Sequence, residues 1–247
     1  MVMTTDALDR YWAHELGCSP GALYDGGIAI CAPIHRADPR WMGWLVPLEC
    51  VTLDGAAPGT GIISVSPTLA NPIASVFDPN AAAAEYLPPE SRSMFRFVRS
   101  HLSPHCPKIH RILHCQAEGF IPAPEVFPID DLSASDLHAD WFRLHFDGPI
   151  FVARDERGSI ASWAAIKCKS DNVWEMAVMT EAHQRCRGLA RSVVSRATQA
   201  AFDAGKTALY LHEITNHASS KVCRSLGYQP YGHEFTCETG RILPSRR

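Results

Sequence analysis

Arg185, Arg187 and Gly188 carry the clearest chemistry in this chain. They lie in the run Thr180-Glu181-Ala182-His183-Gln184-Arg185-Cys186-Arg187-Gly188-Leu189-Ala190. A β-rich apolar stretch, Val173 to Met179, precedes it with one embedded carboxylate, Glu175. After it, Leu189, Val193, Ala197, Ala200, Ala201 and Ala204 recur at helical spacing, and Gly205 stands where a helix would stop. The pattern predicts a strand, a tight basic loop and a helix. Such a loop brings two guanidinium groups and a run of backbone N–H groups to a helix N-terminus, where the helix dipole favours an anion. Gly188 and Ala190 keep side chains out of the way, so a phosphate could approach the backbone. The expected chemistry is phosphate binding.

A second group of reactive side chains is His101, His105, Cys106, His110, His114 and Cys115, all within fifteen residues. Imidazoles and thiols can hold zinc. The spacing, however, crosses Pro104 and Pro107 and then enters an apparent strand, where only His110 and His114 share a face. Packed or solvated histidines are the expectation, and no metal. Trp12, Trp41 and Trp44 read as core or domain-contact residues rather than a ligand cage. The nine cysteines are an odd number with no Cys-x-x-Cys pair, and Asp6, Asp9, Arg10 and Glu15 interrupt any apolar leader. Reduced thiols in a cytoplasmic protein are therefore expected. A net charge of −3 leaves no excess of Lys and Arg to neutralise a nucleic acid. The uncharged stretch Gly55 to Phe77 is broken by Pro58, Pro67 and Pro72 and is a poor membrane helix.

The elements that must position the loop follow from periodicity. Fifteen of the eighteen prolines precede residue 130, which marks a change of regime along the chain. The proline-rich part predicts a helix over 5–16, strands over 28–31, 44–53 and 61–65, a helix over 89–102 and a strand over 109–115. Ile121-Pro122-Ala123-Pro124 reads as a linker, giving an N-terminal mixed α/β domain over 1–122 and a second domain over 123–247. The second predicts strands over 126–129, 149–154, 159–167, 173–179, 208–213 and 231–237. Its helices are expected to start at Ser133, running to about His145 with Leu137, Trp141 and Leu144 on one apolar face, then at Leu189 and at His217.

Two blocks together resemble a known family. Arg185-x-x-Gly188-x-Ala190 is similar to the coenzyme A loop of the GCN5-related N-acetyltransferase (GNAT) superfamily. Asn216-x-x-Ser219-x-x-Val222-Cys223-x-x-Leu226-Gly227-Tyr228 resembles the family's later motif, in which an Asn and a small residue open a helix ending in Leu-Gly-aromatic. The resemblance covers roughly residues 125–235. It implies an α/β fold with a mixed central sheet in the C-terminal half, and the N-terminal part could be a degenerate second copy.

The resemblance also implies acetyl-CoA as co-substrate, with no metal. The backbone of Val178, Met179 and Thr180 would pair with the pantetheine arm, in the gap where the family's central strands splay. Arg185, Cys186, Arg187, Gly188, Leu189 and Ala190 would hold the pyrophosphate, and Asn216 and Ser219 would flank the arm. The reaction would be direct acyl transfer from the thioester to an amine of a small metabolite, an antibiotic-like compound or a peptide. An amine with a pKa of about 10 must lose a proton before it attacks. Glu175 is the candidate base, with a structural strand carboxylate as its alternative, and Glu213 is the reserve. The family's acid, a tyrosine seven residues after the Asn, is here Cys223. A non-catalytic acyl-CoA-binding module therefore stays open beside the enzyme. No nucleic-acid or membrane partner is expected.

Overall fold

A computed structural model describes residues 6–24, 26–38, 45–102, 107–133, 136 and 139–239. Trp41, Trp44, His105, Cys106 and Leu137 lie outside the described residues. The chain forms two compact units, one of residues 1–111 with 231–247 and the other of residues 112–230. The division by contacts thus falls at 111/112 and 230/231, while the sequence reading puts it at 122/123. No helix among the described residues is long and apolar enough to cross a membrane.

In the first unit α1 (Asp6–Leu16) precedes β1 (Ile28–Cys31), β2 (Leu45–Leu53) and β3 (Gly61–Val65). α2 (Ala70–Val76), α3 (Arg92–His101) and the start of β4 (Lys108–Cys115) follow, with most of β10 (Gln229–Thr239). β1 runs parallel to β3, β3 antiparallel to β2 and β2 antiparallel to β10. Period-two alternation sends Leu48, Cys50, Ile63, Val65, Phe235 and Cys237 into one core with α2 and α3. α2 is absent from the sequence reading because Asn71 and Pro72 look like a turn. Proline in a helix's first turn removes only an N–H that has no intrahelical partner anyway.

A polar row is buried in this unit. Arg36 is 1% exposed and ion-pairs with Glu49. Its guanidinium also donates to Ser64 Oγ, and to the carbonyls of Val46 (3.1 Å) and Glu15 (3.0 Å). Glu234 on β10 meets His110 Nδ1 at 2.9 Å and hydrogen-bonds with Glu49.

The second unit holds β5 (Ile129–Asp131), α4 (Ala139–His145), β6 (Ile150–Arg154), β7 (Ile160–Cys168) and β8 (Val173–Thr180). α5 (Leu189–Asp203), β9 (Thr207–Glu213) and α6 (His217–Ser225) complete it, with the end of β4. Its strand order is β4-β9-β8-β7-β6-β5, mixed because β8 and β9 are parallel and β5 to β8 antiparallel. Val193, Val194, Ala197 and Ala201 of α5 bury against Ala164, Ile166, Met176 and Tyr210. The mixed α/β architecture matches the expectation.

Two local expectations fail. On α4 the buried residues are Ala139, Phe142 and His145, whereas Trp141 and Leu144 are exposed. Phe142 packs edge-on against Trp163 of β7, and that aromatic contact outweighs the weaker periodic signal of Trp141 and Leu144. The segment 121–124 is not a loose linker either. Ile121 N–H donates to the Leu226 carbonyl (3.0 Å), Ala123 N–H donates to Ser195 Oγ (2.9 Å), and Ser192 Oγ donates to the Pro124 carbonyl (2.9 Å). Gly227 makes the first of these approaches possible, since a Cβ there would lie 2.0 Å from the Gly119 carbonyl oxygen and its φ is +89°.

Candidate functional site

The site begins where two parallel strands part. β8 and β9 pair through Val173, Trp174, Glu175 and Met176, opposite Thr207, Ala208, Leu209 and Tyr210. Beyond Met176 and Tyr210 the pairing stops, although β8 continues to Thr180 and β9 to Glu213. Residues 177–180 of β8 keep their β7 partners Ala165, Ala164, Trp163 and Ser162. Ser162 Oγ also donates to the Met179 carbonyl at 2.9 Å. The side of β8 that faces β9 is therefore open over Ala177, Val178, Met179 and Thr180. Unpaired backbone groups of this kind can accept an extended ligand as a further strand.

β8 leads into the basic loop. Arg185 is extended and its Nε donates to the Thr180 carbonyl at 3.4 Å. Cys186 takes a left-handed φ of +62°, a conformation that costs a non-glycine residue energy. Gly188, at φ +82°, is the residue before α5 and brings no side-chain cap to it. A Cβ there would lie 3.2 Å from Val126 Cγ2. The first N–H groups of α5 have no intrahelical acceptor, so an uncapped N-terminus presents donors and the positive dipole end. Arg187 is exposed, with its guanidinium 4.9 Å from the centre of the Phe127 ring and donating to Gln184 Oε1. Both arginines are exposed beside the start of α5, Arg187 held by Gln184 and Phe127 and Arg185 by the Thr180 carbonyl. An elongated ligand with an anionic end fits this arrangement, with a strand edge for an extended arm and a helix start for the anion.

α6 supplies the third wall. Asn216 Oδ1 accepts from Ser219 N–H at 3.1 Å, which makes Asn216 the N-cap of α6. Ser219 Oγ lies 2.8 Å from the Tyr210 hydroxyl. Cys223 is 0% exposed in the apolar core, and its thiol donates to the Ser220 carbonyl at 3.2 Å. Burial pushes that thiol up to about 11. A group so enclosed is a poor match to the acid role expected for its position.

Glu175 is buried, directly across the sheet from Lys167. Lys167 Nζ is 2.8 Å from Oε1 and Lys169 Nζ is 3.4 Å from Oε2. Burial alone would raise this carboxyl, but the two ammonium groups overcome it and hold the pKa at about 2. A carboxylate this stable accepts a proton reluctantly. Glu213, the reserve, ends β9 on the exposed side.

Sequence reasoning missed two partnerships here. The Lys167–Glu175 pairing was available in principle, since a short hairpin between the strands sets those residues opposite each other. Tyr210 with Ser219 had no local signal. Among the described residues, no group of three or more His, Cys, Asp or Glu is arranged to hold a metal. His101 stacks on Phe97 instead, with ring centres 4.3 Å apart. A separate hollow of 960 Å³ opens beside Arg196 and Asp203, in the second half of α5, while the loop is at its start.

Residues 109–228 match the family model described as the acetyltransferase (GNAT) family. No curated protein matches the chain significantly. Among solved structures, it is similar to an acetyltransferase of the GNAT family from Novosphingobium aromaticivorans, with 18% identity, a TM-score of 0.46 and coverage of 56% of this chain and 66% of that one. A GCN5-related N-acetyltransferase from Kribbella flavida shows 18% identity and a TM-score of 0.45, over 62% and 65% of the two chains. A GCN5-related N-acetyltransferase-like protein from Streptococcus suis shows 15% identity and a TM-score of 0.47, over 76% and 83%. This chain spans just under two thirds of the length of the first two. The likeness to the family rests on the sequence match over residues 109–228.

Proposed function

Because residues 109–228 match the model of the GNAT acetyltransferase family, we propose that this chain moves an acetyl or related acyl group from coenzyme A to an amine. The observation that carries this reading is the parting of β8 and β9 after Met176 and Tyr210, beside the uncapped start of α5 at Gly188. In the proposal, Val178, Met179 and Thr180 offer backbone groups to the pantetheine arm. Arg185 and the backbone from Cys186 to Ala190 hold the pyrophosphate. Asn216 caps α6 so that Ser219 can lie close to the arm.

The acyl carbon gains a bond to the acceptor nitrogen and loses its bond to sulfur, while the nitrogen gives up a proton. A backbone N–H on the open edge of β8 would stabilise charge growing on the thioester oxygen. The ion pairs of Glu175 change its expected role: it anchors Lys167 and Lys169 and is a weak base. The nitrogen's proton then leaves to water, and the rate follows the ionisation of the acceptor amine as pH rises. The acceptor is a small amine or a peptide amine.

Release of the CoA thiol, measured against a broad amine panel with a protein-only blank, tests the reading. Acceptor-dependent release is expected. A second reading has its own support, since neither Glu175 nor Cys223 is poised as base or acid. That reading is an acyl-CoA-binding module without turnover. Calorimetric binding of acetyl-CoA with no release on any amine would favour it, and absence of binding would defeat both.

A further inference from the structure

The position expected to hold an acid carries a cysteine sealed in the core, which leaves the departing sulfur without an obvious partner. Helical side chains lean toward the helix N-terminus, so a long side chain at 223 would set its tip over the preceding turn, near Ser219 and Ser220. In this chain another phenol reaches that turn. Tyr210 belongs to the same core cluster as Cys223, and its hydroxyl is 2.8 Å from Ser219 Oγ. The small thiol at 223 leaves room for the ring that arrives from β9. Tyr210 is also the last β9 residue paired to β8 before the strands part.

Resting on the acyl-transfer reading above, we propose that Ser219 donates its hydroxyl to the departing CoA sulfur and that Tyr210 positions it by donating to Ser219 Oγ. The direction of the hydrogen bond follows from the donors. A phenol is the stronger donor of the two, so Ser219 accepts from Tyr210 and keeps its own proton to offer outward. The Ser219 N–H is already committed to Asn216, which fixes the turn. Burial drives the Tyr210 phenol well above its ordinary range. Tyr210 therefore keeps its proton and acts by hydrogen bonding. The sulfur leaves with the electron pair of the broken C–S bond, rests on the Ser219 hydroxyl, and takes its proton from water.

The test binds free CoA to the full chain and follows the ultraviolet absorbance of the thiolate as pH is raised. With the hydroxyl pair intact, the bound thiol should ionise at lower pH than in Ser219→Ala or Tyr210→Phe. The expected rise in its pKa is about 1, a tenfold change in the thiolate-to-thiol ratio. Ser219→Thr, which keeps a hydroxyl, should restore most of the effect. Desulfo-CoA, measured by calorimetry, should bind both wild type and Ser219→Ala, which shows an intact site where the sulfur concerned is lacking. If both ligands bind and the thiol titrates alike in wild type and Ser219→Ala, the inference is overturned while the acyl-transfer reading stands. If neither ligand binds wild type, the acyl-transfer reading falls and takes the inference with it. Ser219→Ala decides the matter even if Tyr210→Phe fails to fold.

Discussion

Glu175 in the second unit and Glu234 in the first are both 7% exposed and both sit within β-strands. Their neighbours give them opposite fates. Glu175 faces two lysines and stays ionised down to a pKa of about 2. Glu234 is raised to about 7, first by burial and further by Glu49, with His110 opposing. Burial penalises the charged form of both, so the partner's sign decides which form survives. The second difference concerns the backbone. The first unit pairs β2 with neighbours on both sides and folds its charges in upon one another. The second satisfies its buried charge locally and leaves a strand edge and a helix start open. The carboxylate with a base-like pKa is thus in a different unit from the parted strands. A perturbed pKa and a ligand cradle need not coincide.

The largest effect expected from breaking this contrast comes from closing the open backbone. Gly188→Asp adds a side chain where φ is +82° and a negative charge at the start of α5. Acetyl-CoA affinity should fall by at least about a thousandfold, ~4 kcal/mol, with the circular dichroism spectrum retained. Calorimetry giving an unchanged Kd would refute the assignment of the loop. Glu234→Gln, in the other unit, should leave that Kd alone.

Next comes Glu175→Gln, which strands two partly buried ammonium groups. A loss of about 3 kcal/mol is expected for breaking such a pair, read at neutral pH from urea unfolding with hydrogen exchange assigning the loss to the second unit. The folded pKa of Glu175 is depressed below the ordinary 4.5. Its contribution is therefore present above pH 4.5 and lost as pH falls toward 2. The variant should lack that acid-side loss. A glutamine variant as stable as wild type at pH 7 would mean that the ion pairs contribute nothing.

Glu234→Gln sharpens the comparison from the other side. Here the folded pKa is raised above the ordinary 4.5 to about 7. The contribution is present in full below pH 4.5 and is lost as pH rises through 7. Glutamine stays neutral throughout, so the variant should equal wild type at low pH and exceed it by about 3 kcal/mol at pH 8. If the variant is the less stable one at pH 8, Glu234 is ionised and paired with His110 instead.

The smallest effect is one of labelling. Cys186 is exposed in the basic loop, whereas the other described cysteines are buried or half-buried. Alkylation followed by mass spectrometry should find Cys186 modified at least about tenfold faster than Cys223, and CoA should slow it. Labelling at Cys186 indifferent to CoA would detach this residue from the site.

Much of the second unit was legible along the chain. Val173 to Thr180, the loop and Leu189 to Asp203 form the strand, turn and helix that their spacing predicts. The Asn216 cap and the left-handed Gly227 could be read the same way. The first unit was legible in its strands, with 28–31 and 61–65 matching to the residue. α2 was hidden by Asn71 and Pro72, and the buried face of α4 by an aromatic packing that no helical period records.

The sequence by itself determined the local pieces: the apolar alternation of β8, the loop that needs a left-handed Gly188, and the helix that Asn216 caps. These rest on residues within a turn or two of one another, where dihedral preference and capping act. Tertiary structure alone decided where β8 and β9 part, that Lys169 joins Lys167 around Glu175, that Cys223 is sealed in the core, and that Tyr210 meets Ser219. Each of these depends on which side chains and backbone groups different elements bring together. Burial and partner charge then fix what the same residue types can do, and neither is a property of a residue's place in the chain.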